Sequence, residues 1–159
     1  MKFTIGTDPE FFLYDTTTSQ YVSAHDKVPG DKKNPSPLPN GGAVQADGTA
    51  VEFNIPPCET GKQFKEAVLS ALGDLRKMIP KKYNFVFEPY ITYNAVVWDK
   101  IPDSAKELGC DPDWCVSNPF GNDTSKIFKK NAVGNPGKIR TGSGHIHFGW
   151  TQKEDTSPE

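Results

Sequence analysis

The strongest candidate for chemistry in this sequence is a pair of histidines. His145 and His147 are two residues apart, so on an extended strand both imidazoles point to one side. Ile146, Phe148 and Trp150 alternate with them, and this alternation predicts such a strand. Two of the 3 histidines in the chain are therefore expected to face the same way.

Two further predicted strands carry polar pairs with the same spacing. Asp8 and Glu10 flank a proline and share one side of an extended backbone. Glu52 and Asn54 lie opposite an alternating apolar series, which consists of Val51, Phe53 and Ile55. Taken alone, either pair could be the ordinary polar face of a half-buried sheet. If all three strands belong to one antiparallel sheet, their polar faces can coincide.

Several carboxylates with one or two imidazoles suit Mg²⁺ or Mn²⁺ that is shared with phosphates. A site made of histidines alone would favour zinc or iron chemistry instead. Cys110 and Cys115 could join His145 and His147 in a zinc site, although their spacing matches no common zinc motif. The residue types alone leave these alternatives open.

The elements that must position these residues predict an α+β fold. Short alternating strands predict an antiparallel sheet, with a tight hairpin turn at Asp47-Gly48. One main amphipathic helix is predicted after a capping box formed by Thr60 and Gln63, and Pro80 ends it. We expect this helix to pack on the sheet.

Two other segments are defined by composition. Residues 85–98 are rich in aromatic and β-branched side chains, which predicts one strand or two. Residues 25–42 form a long loop rich in proline, glycine and lysine. That loop is either a mobile surface segment or a lid that closes over a charged ligand.

The overall composition sets the broad class. The 159 residues correspond to about one domain at 1–150, followed by a polar tail at 151–159. The net charge of −2 provides no global basic field for nucleic acid. No apolar run approaches the ~20 residues of a membrane span, and residues 1–6 lack a signal-peptide core. A cytoplasmic protein is expected, or one in the host cytoplasm if the source is viral.

Four segments together resemble a known family. They read GTDPEFF, QADGTAVEFNIPP, GCDPDW and RTGSGHIHFGW. This set is similar to the phage-type carboxylate–amine ligases of the glutamine synthetase and glutamate–cysteine ligase superfamily. The last segment also resembles the Gly-Ser-Gly-x-His-x-His strand of glutamine synthetase itself. The similarity spans residues 6–150 and depends on the order and combination of the motifs.

The resemblance implies a curved antiparallel sheet around ATP and two or more divalent cations, either Mg²⁺ or Mn²⁺. The implied metal ligands are Asp8, Glu10, Glu52, His145 and His147. The residues implied to bind the nucleotide are Asn54, Arg140, His145 and His147. Arg140 would lie near the phosphates or the substrate carboxylate, and it is the catalytic residue that the resemblance implies.

The implied reaction is the formation of an amide bond. A substrate carboxylate attacks the γ-phosphorus of ATP to give an acyl phosphate, and an amine then displaces phosphate. The expected partners are ATP, a small carboxylate and an amine, with no nucleic acid and no membrane.

The resemblance is incomplete at one end. Family domains continue past the histidine strand and carry phosphate-binding arginines and another metal-binding glutamate there, whereas a polar tail follows Trp150 here. The chain is therefore expected to be such a ligase or the N-terminal half of one, and its expected protein partners are a complementing second half or further copies in a homo-oligomer. The alternative is a catalytically inactive homologue that acts as a binding or interaction protein.

Overall fold

The computed structural model describes residues 2–106 and 138–151. In these ranges the chain forms a mixed α+β fold of antiparallel sheets with one main helix. The strands are β1 (Lys2–Thr7), β2 (Glu10–Asp15), β3 (Gln20–Val22), β4 (Ser36–Pro37), β5 (Ala43–Asp47), β6 (Ala50–Asn54), β7 (Tyr83–Val86), β8 (Tyr90–Thr92), β9 (Ile139–Thr141) and β10 (Ile146–Thr151). The helices are α1 (Gly61–Met78), α2 (Ala95–Trp98) and α3 (Asp103–Lys106).

The segment formed by β1 and β2 is the centre of the architecture. On one side it pairs with β10 and β7, and on the other side it pairs with β6 and β3. The hairpin of β5 and β6 extends the sheet outwards to β4. Pro9 separates β1 from β2, because a proline cannot donate a backbone hydrogen bond to the ladder.

Residues on opposite sides of this sheet have different surroundings. Phe11, Val51 and Phe53 face α1, where they are buried with Ala71 and Leu75 in the main core. Because side chains alternate along a strand, the residues between them point to the other face. Asp8, Glu10 and Glu52 thus lie on the face that α1 does not cover.

A second, smaller core lies at one end of that other face. Phe12 is its buried member from β2, and Ile91 and Tyr93 are buried there with it. Ala50 of β6, Ile101 and Ala105 complete this cluster. The sheet is therefore covered on both faces, but Asp8, Glu10 and Glu52 are not part of the second core.

Several sequence-based predictions about local structure are confirmed. The helix begins after Thr60, which accepts a hydrogen bond from the backbone N–H of Gln63 at 3.2 Å, and the Gln63 side chain accepts one from the backbone N–H of Thr60 at 3.1 Å. The predicted hairpin places Asp47 opposite Ala50. Gly48 has φ +56°, a value that glycine adopts at little cost.

The strand prediction for residues 85–98 is confirmed for β8 and for the last two residues of β7, and it is wrong for α2. Asn94 begins this short helix, because its side-chain oxygen accepts a hydrogen bond from the backbone N–H of Val96 at 2.8 Å. The strand-favouring composition of residues 95–98 is overridden by this cap.

The loop at residues 25–42 packs into the main core and forms a hydrogen bond with β5. Val28 and Leu38 are buried in the main core. The backbone N–H of Ala46 donates to the carbonyl of Gly30 at 3.2 Å. A lid that moves as a whole would have to expose these two apolar side chains, and the tip of the loop is itself held by hydrogen bonds between Asp31 and Asn34.

The apolar side chains of β10 remain exposed. Ile146, Phe148 and Trp150 are 54%, 70% and 65% exposed, and Phe3 beside them is 63% exposed. The main core extends along β1 only as far as Ile5.

Three sequence-based hypotheses involve residues outside the described ranges. They concern the zinc ligands Cys110 and Cys115, the GCDPDW motif, and all of the polar tail except Thr151, which is the last residue of β10. In the described ranges, no helix combines the length and the hydropathy that a membrane crossing requires.

Candidate metal centre

The structure brings the three polar pairs onto one surface. Glu10 lies directly opposite Glu52 in the pairing of β2 with β6. On the other side, the backbone N–H of Asp8 donates to the carbonyl of His145 at 3.4 Å, and that of Glu10 donates to Ser143 at 2.7 Å. Since these contacts continue the register that places Gly6 opposite His147, both imidazoles lie on the carboxylate face.

The carboxylate of Asp8 contacts both histidine rings. Its Oδ1 lies 3.2 Å from Nδ1 of His145, and its Oδ2 lies 3.1 Å from Nε2 of His147. The backbone N–H of His145 also donates to Oδ1 at 2.9 Å. Each carboxylate oxygen of Asp8 thus orients one imidazole, while both rings remain mostly exposed.

These contacts set the charge state of Asp8. Partial burial acts to raise its pKa, but the hydrogen bond from His147 and the backbone hydrogen bond from His145 act in the opposite direction. The charges of the two imidazoles add to the lowering. The pKa of Asp8 therefore lies below its ordinary value of 3.8, and the carboxylate is ionised throughout the neutral range.

A second group consists of three carboxylates from three strands. Glu10, Asp47 and Glu52 each place one oxygen so that these atoms all lie within 4.8 Å of one another. Glu52 also accepts a hydrogen bond from the side-chain amide of Gln45 at 2.6 Å. We call Glu10, Asp47 and Glu52 the acidic cluster.

Glu52 is repelled by the negative charges of its neighbours. Burial raises the pKa of this carboxyl, the hydrogen bond from Gln45 acts against the increase, and the neighbouring charges of Asp47, Glu10 and Asp8 raise the pKa further. Repulsion of this kind is relieved when a proton or a metal cation binds among the carboxylates.

The Gly-Ser-Gly segment before His145 allows the chain to run close to β2. The backbone N–H of Ser143 donates to Oε2 of Glu10 at 2.9 Å. A Cβ atom at Gly142 would lie 2.9 Å from the ring of Phe12, and one at Gly144 would lie 3.0 Å from Cα of Pro9. The two glycines therefore permit the approach that lets Ser143 orient Glu10.

Asn54 lies at the edge of this surface. Its side-chain oxygen accepts a hydrogen bond from the backbone N–H of Ala43 at 2.9 Å. With Asp8, Glu52 and His147, it lines a pocket of about 400 Å³ beside the carboxylates. Neither lysine nor arginine is among the described residues that line this pocket.

Arg140 packs against the second core. On β9 it is opposite Ile91, and its guanidinium carbon lies 4.5 Å from the centre of the Trp98 ring. The guanidinium also donates to the carbonyls of Ile139 and Lys106. Burial lowers the pKa of Arg140, and the nearby Tyr93 acts in the opposite direction. These contacts engage the guanidinium with the protein itself.

Sequence reasoning missed Gln45, Asp47 and Ser143. The sequence pattern indicates for Asp47 only a place in a turn. A usable signal existed, because a tight turn at residues 48–49 fixes the register of the hairpin and puts residues 45, 47 and 52 on one face. For Ser143, the contact depends on pairing between segments 133 residues apart, and no local pattern contains that information.

Comparisons with protein-family models, curated proteins and solved structures give no match.

Proposed function

We propose that this surface binds a divalent cation, Mg²⁺ or Mn²⁺, together with the phosphates of ATP. The observation that carries the proposal is the acidic cluster, in which carboxylate oxygens from three strands lie within 4.8 Å of one another beside the Asp8–histidine group. Four carboxylates in this area create a strong local preference for positive charge.

The donor types fit this cation better than they fit zinc. Glu10, Asp47 and Glu52 offer hard oxygen donors, which Mg²⁺ and Mn²⁺ prefer. Asp8, His145 and His147 form an adjacent mixed group of oxygen and nitrogen donors. This second group could take a further Mn²⁺, or its imidazoles could donate hydrogen bonds to a phosphate.

The reaction class that we propose is ATP-dependent formation of an amide from a carboxylate and an amine, by this chain or by this chain as half of a ligase. The four motifs that resemble carboxylate–amine ligases support it, since Asp8, Glu10, Glu52 and the two histidines of those motifs lie on one surface. A bound cation would neutralise the charge of the transferring phosphoryl group. The chain's own contribution is to hold the carboxylates and to orient the imidazoles through Asp8.

The position of Arg140 favours a second candidate function. Its guanidinium packs against Trp98 and donates to the backbone carbonyl of Ile139, so these contacts already engage the cation that a ligase would use for phosphate or for a substrate carboxylate. A protein that binds a metal–nucleotide complex without turnover, as an interaction partner of another chain, needs no such cation.

Calorimetric titration of the full chain with Mn²⁺ tests the proposal directly. We expect one or more binding events that Glu52→Gln weakens at least tenfold, because Gln keeps the shape but cannot supply the charge. Glu66→Gln, an exposed position on α1, serves as the matched control and should bind as the wild type does. A folded protein that binds no Mn²⁺ would exclude this function.

An assay of ADP release then separates the two candidates. The protein is incubated with ATP, Mg²⁺ or Mn²⁺, and a pool of amino acids and amines. Release of ADP that requires both a carboxylate and an amine supports the ligase. Metal-dependent binding of ATP without ADP release, by this chain alone and after addition of candidate second halves, supports the non-catalytic alternative.

A further inference from the structure

Lys32 contacts the acidic cluster from outside the sheet. Its ammonium nitrogen lies 3.6 Å from Oδ2 of Asp47. The Asp47 side chain is only 12% exposed, whereas that of Lys32 is 59% exposed. One of the carboxylates that would hold a cation is thus already in contact with a positive charge that belongs to the chain itself.

Backbone contacts in the loop hold the main chain of Lys32 beside Asp47. The backbone N–H groups of Lys33 and Asn34 both donate to Oδ1 of Asp31, at 2.8 and 2.9 Å. Asp31 also forms a parallel bridge with Ala46, the residue before Asp47. The backbone on both sides of Lys32 is therefore fixed beside Asp47.

We propose that Lys32 is a built-in counter-cation of the acidic cluster, which a divalent cation must displace from Asp47. This inference rests on the proposed function, because it requires a cation site at Glu10, Asp47 and Glu52. A divalent cation on Asp47 places like charge near the ammonium group, and the ion pair and the bound cation exclude each other.

The displaced side chain has a second role. Its backbone stays beside Asp47, so the ammonium group remains within a side chain's length of any anion that the cation carries. Lys32 then exchanges the carboxylate for a phosphate oxygen of the ligand. It supplies a positive charge near the phosphates.

The exchange predicts opposite effects of one substitution on two ligands. In Lys32→Gln, Mn²⁺ alone should bind about two- to fivefold more tightly, since an exposed ion pair of this kind contributes a modest free energy. The complex of Mn²⁺ with inorganic tripolyphosphate should bind about two- to tenfold more weakly, because a contact to the anion is lost. Both are measured by calorimetric titration of the full chain.

Lys33→Gln is the matched control, because it removes the same charge from the neighbouring residue of the same loop tip. It should change neither affinity by more than about twofold. Weaker binding of both ligands by Lys32→Gln, or an unchanged affinity for Mn²⁺, would overturn the inference. Tighter binding of Mn²⁺ with no loss of affinity for the tripolyphosphate complex would overturn the second role of Lys32.

The failure of this inference can be distinguished from failure of the metal site itself. If Glu52→Gln abolishes Mn²⁺ binding while Lys32→Gln leaves it unchanged, the cation site stands and the counter-cation is rejected. If Glu52→Gln leaves Mn²⁺ binding intact, the acidic cluster is not the cation site, and both proposals fail together. Circular dichroism of each variant establishes that the fold is retained.

Discussion

Replacing Glu52 with glutamine should make the metal-free protein more stable. The substitution keeps the size of the side chain, and the amide oxygen of glutamine can still accept the hydrogen bond from Gln45. What it removes is a negative charge whose neighbours, Asp47, Glu10 and Asp8, are also negative. Stability and cation binding are therefore expected to change in opposite directions at this position.

The magnitude follows from the geometry of the acidic cluster. Two unit charges 4.8 Å apart repel by about 0.9 kcal/mol even at the full dielectric constant of water, and Glu52 has two such neighbours in the cluster. Glu52 is only partly buried, so the screened value is the appropriate one. The hydrogen bond from Gln45 becomes weaker when its acceptor loses the charge, and this loss offsets roughly 0.5–1 kcal/mol of the relieved repulsion. The net stabilisation is about 1 kcal/mol.

Thermal unfolding in a chelating buffer measures this difference. For a chain of this size, about 1 kcal/mol corresponds to an increase in Tm of roughly 2–4 °C at pH 7. Glu66→Gln, which alters an exposed pair on α1, should change Tm by less than about 1 °C. Addition of Mn²⁺ should raise the Tm of the wild type and of Glu66→Gln but not that of Glu52→Gln.

The pH dependence gives an internal check with a defined sign. Because the pKa of Glu52 is raised on folding, its stabilising contribution is present when the carboxyl is protonated and is lost as pH rises through the raised pKa. The advantage of Glu52→Gln should therefore shrink at acidic pH and grow towards neutrality. A variant that is less stable than the wild type at pH 7, or an advantage that grows as pH falls, would refute the reasoning.

Three further predictions concern the histidine strand and its neighbours. His147→Ala should weaken binding of the Mn²⁺–ATP complex at least tenfold in a calorimetric titration. Its free energy of unfolding should change little, because the ring is mostly exposed. Marked unfolding would show a structural role instead. Asp8→Asn should remove a stabilising contribution that is present above the ordinary pKa of 3.8 and lost as pH falls through the lower folded value, so the unfolding free energies of the two proteins should converge as pH falls through that value. Gly142→Ala should lower the free energy of unfolding in denaturant by roughly 1–3 kcal/mol, because the new Cβ would lie 2.9 Å from the ring of Phe12. Gly73→Ala on α1 should raise it by about 0.5–1 kcal/mol, because its Cβ would meet no atom within 4 Å. Equal effects at the two glycines would contradict the packing.

Local patterns predicted the elements whose formation depends on neighbours in sequence. The capping box at Thr60 and Gln63, the stop at Pro80 and the turn at Asp47-Gly48 are short-range signals, and α1 and the β5–β6 hairpin follow them. The helix α2 was missed because a single cap at Asn94 outweighs the strand propensity of four residues.

The candidate site was only partly predictable, and the limit is physical. A period of two gives the side of a strand on which Asp8 or His147 lies, but it does not give the register between strands. Register decides which groups touch, and here it joins residues 139 positions apart. The position of Arg140 depends likewise on a contact with Trp98 that no local pattern contains.

The pairing of the first strand with the last also has a kinetic consequence. At about 5–20 residues per second, the ribosome needs on the order of ten seconds to synthesise the chain between β1 and β10. During that interval Asp8 has neither of its imidazole partners, and one edge of β1 lacks its neighbour. Pairing between strands so far apart in the sequence forms late and slowly in folding. Recovery of Mn²⁺ binding during refolding would therefore report the last step of assembly, whereas circular dichroism of α1 would report an earlier one.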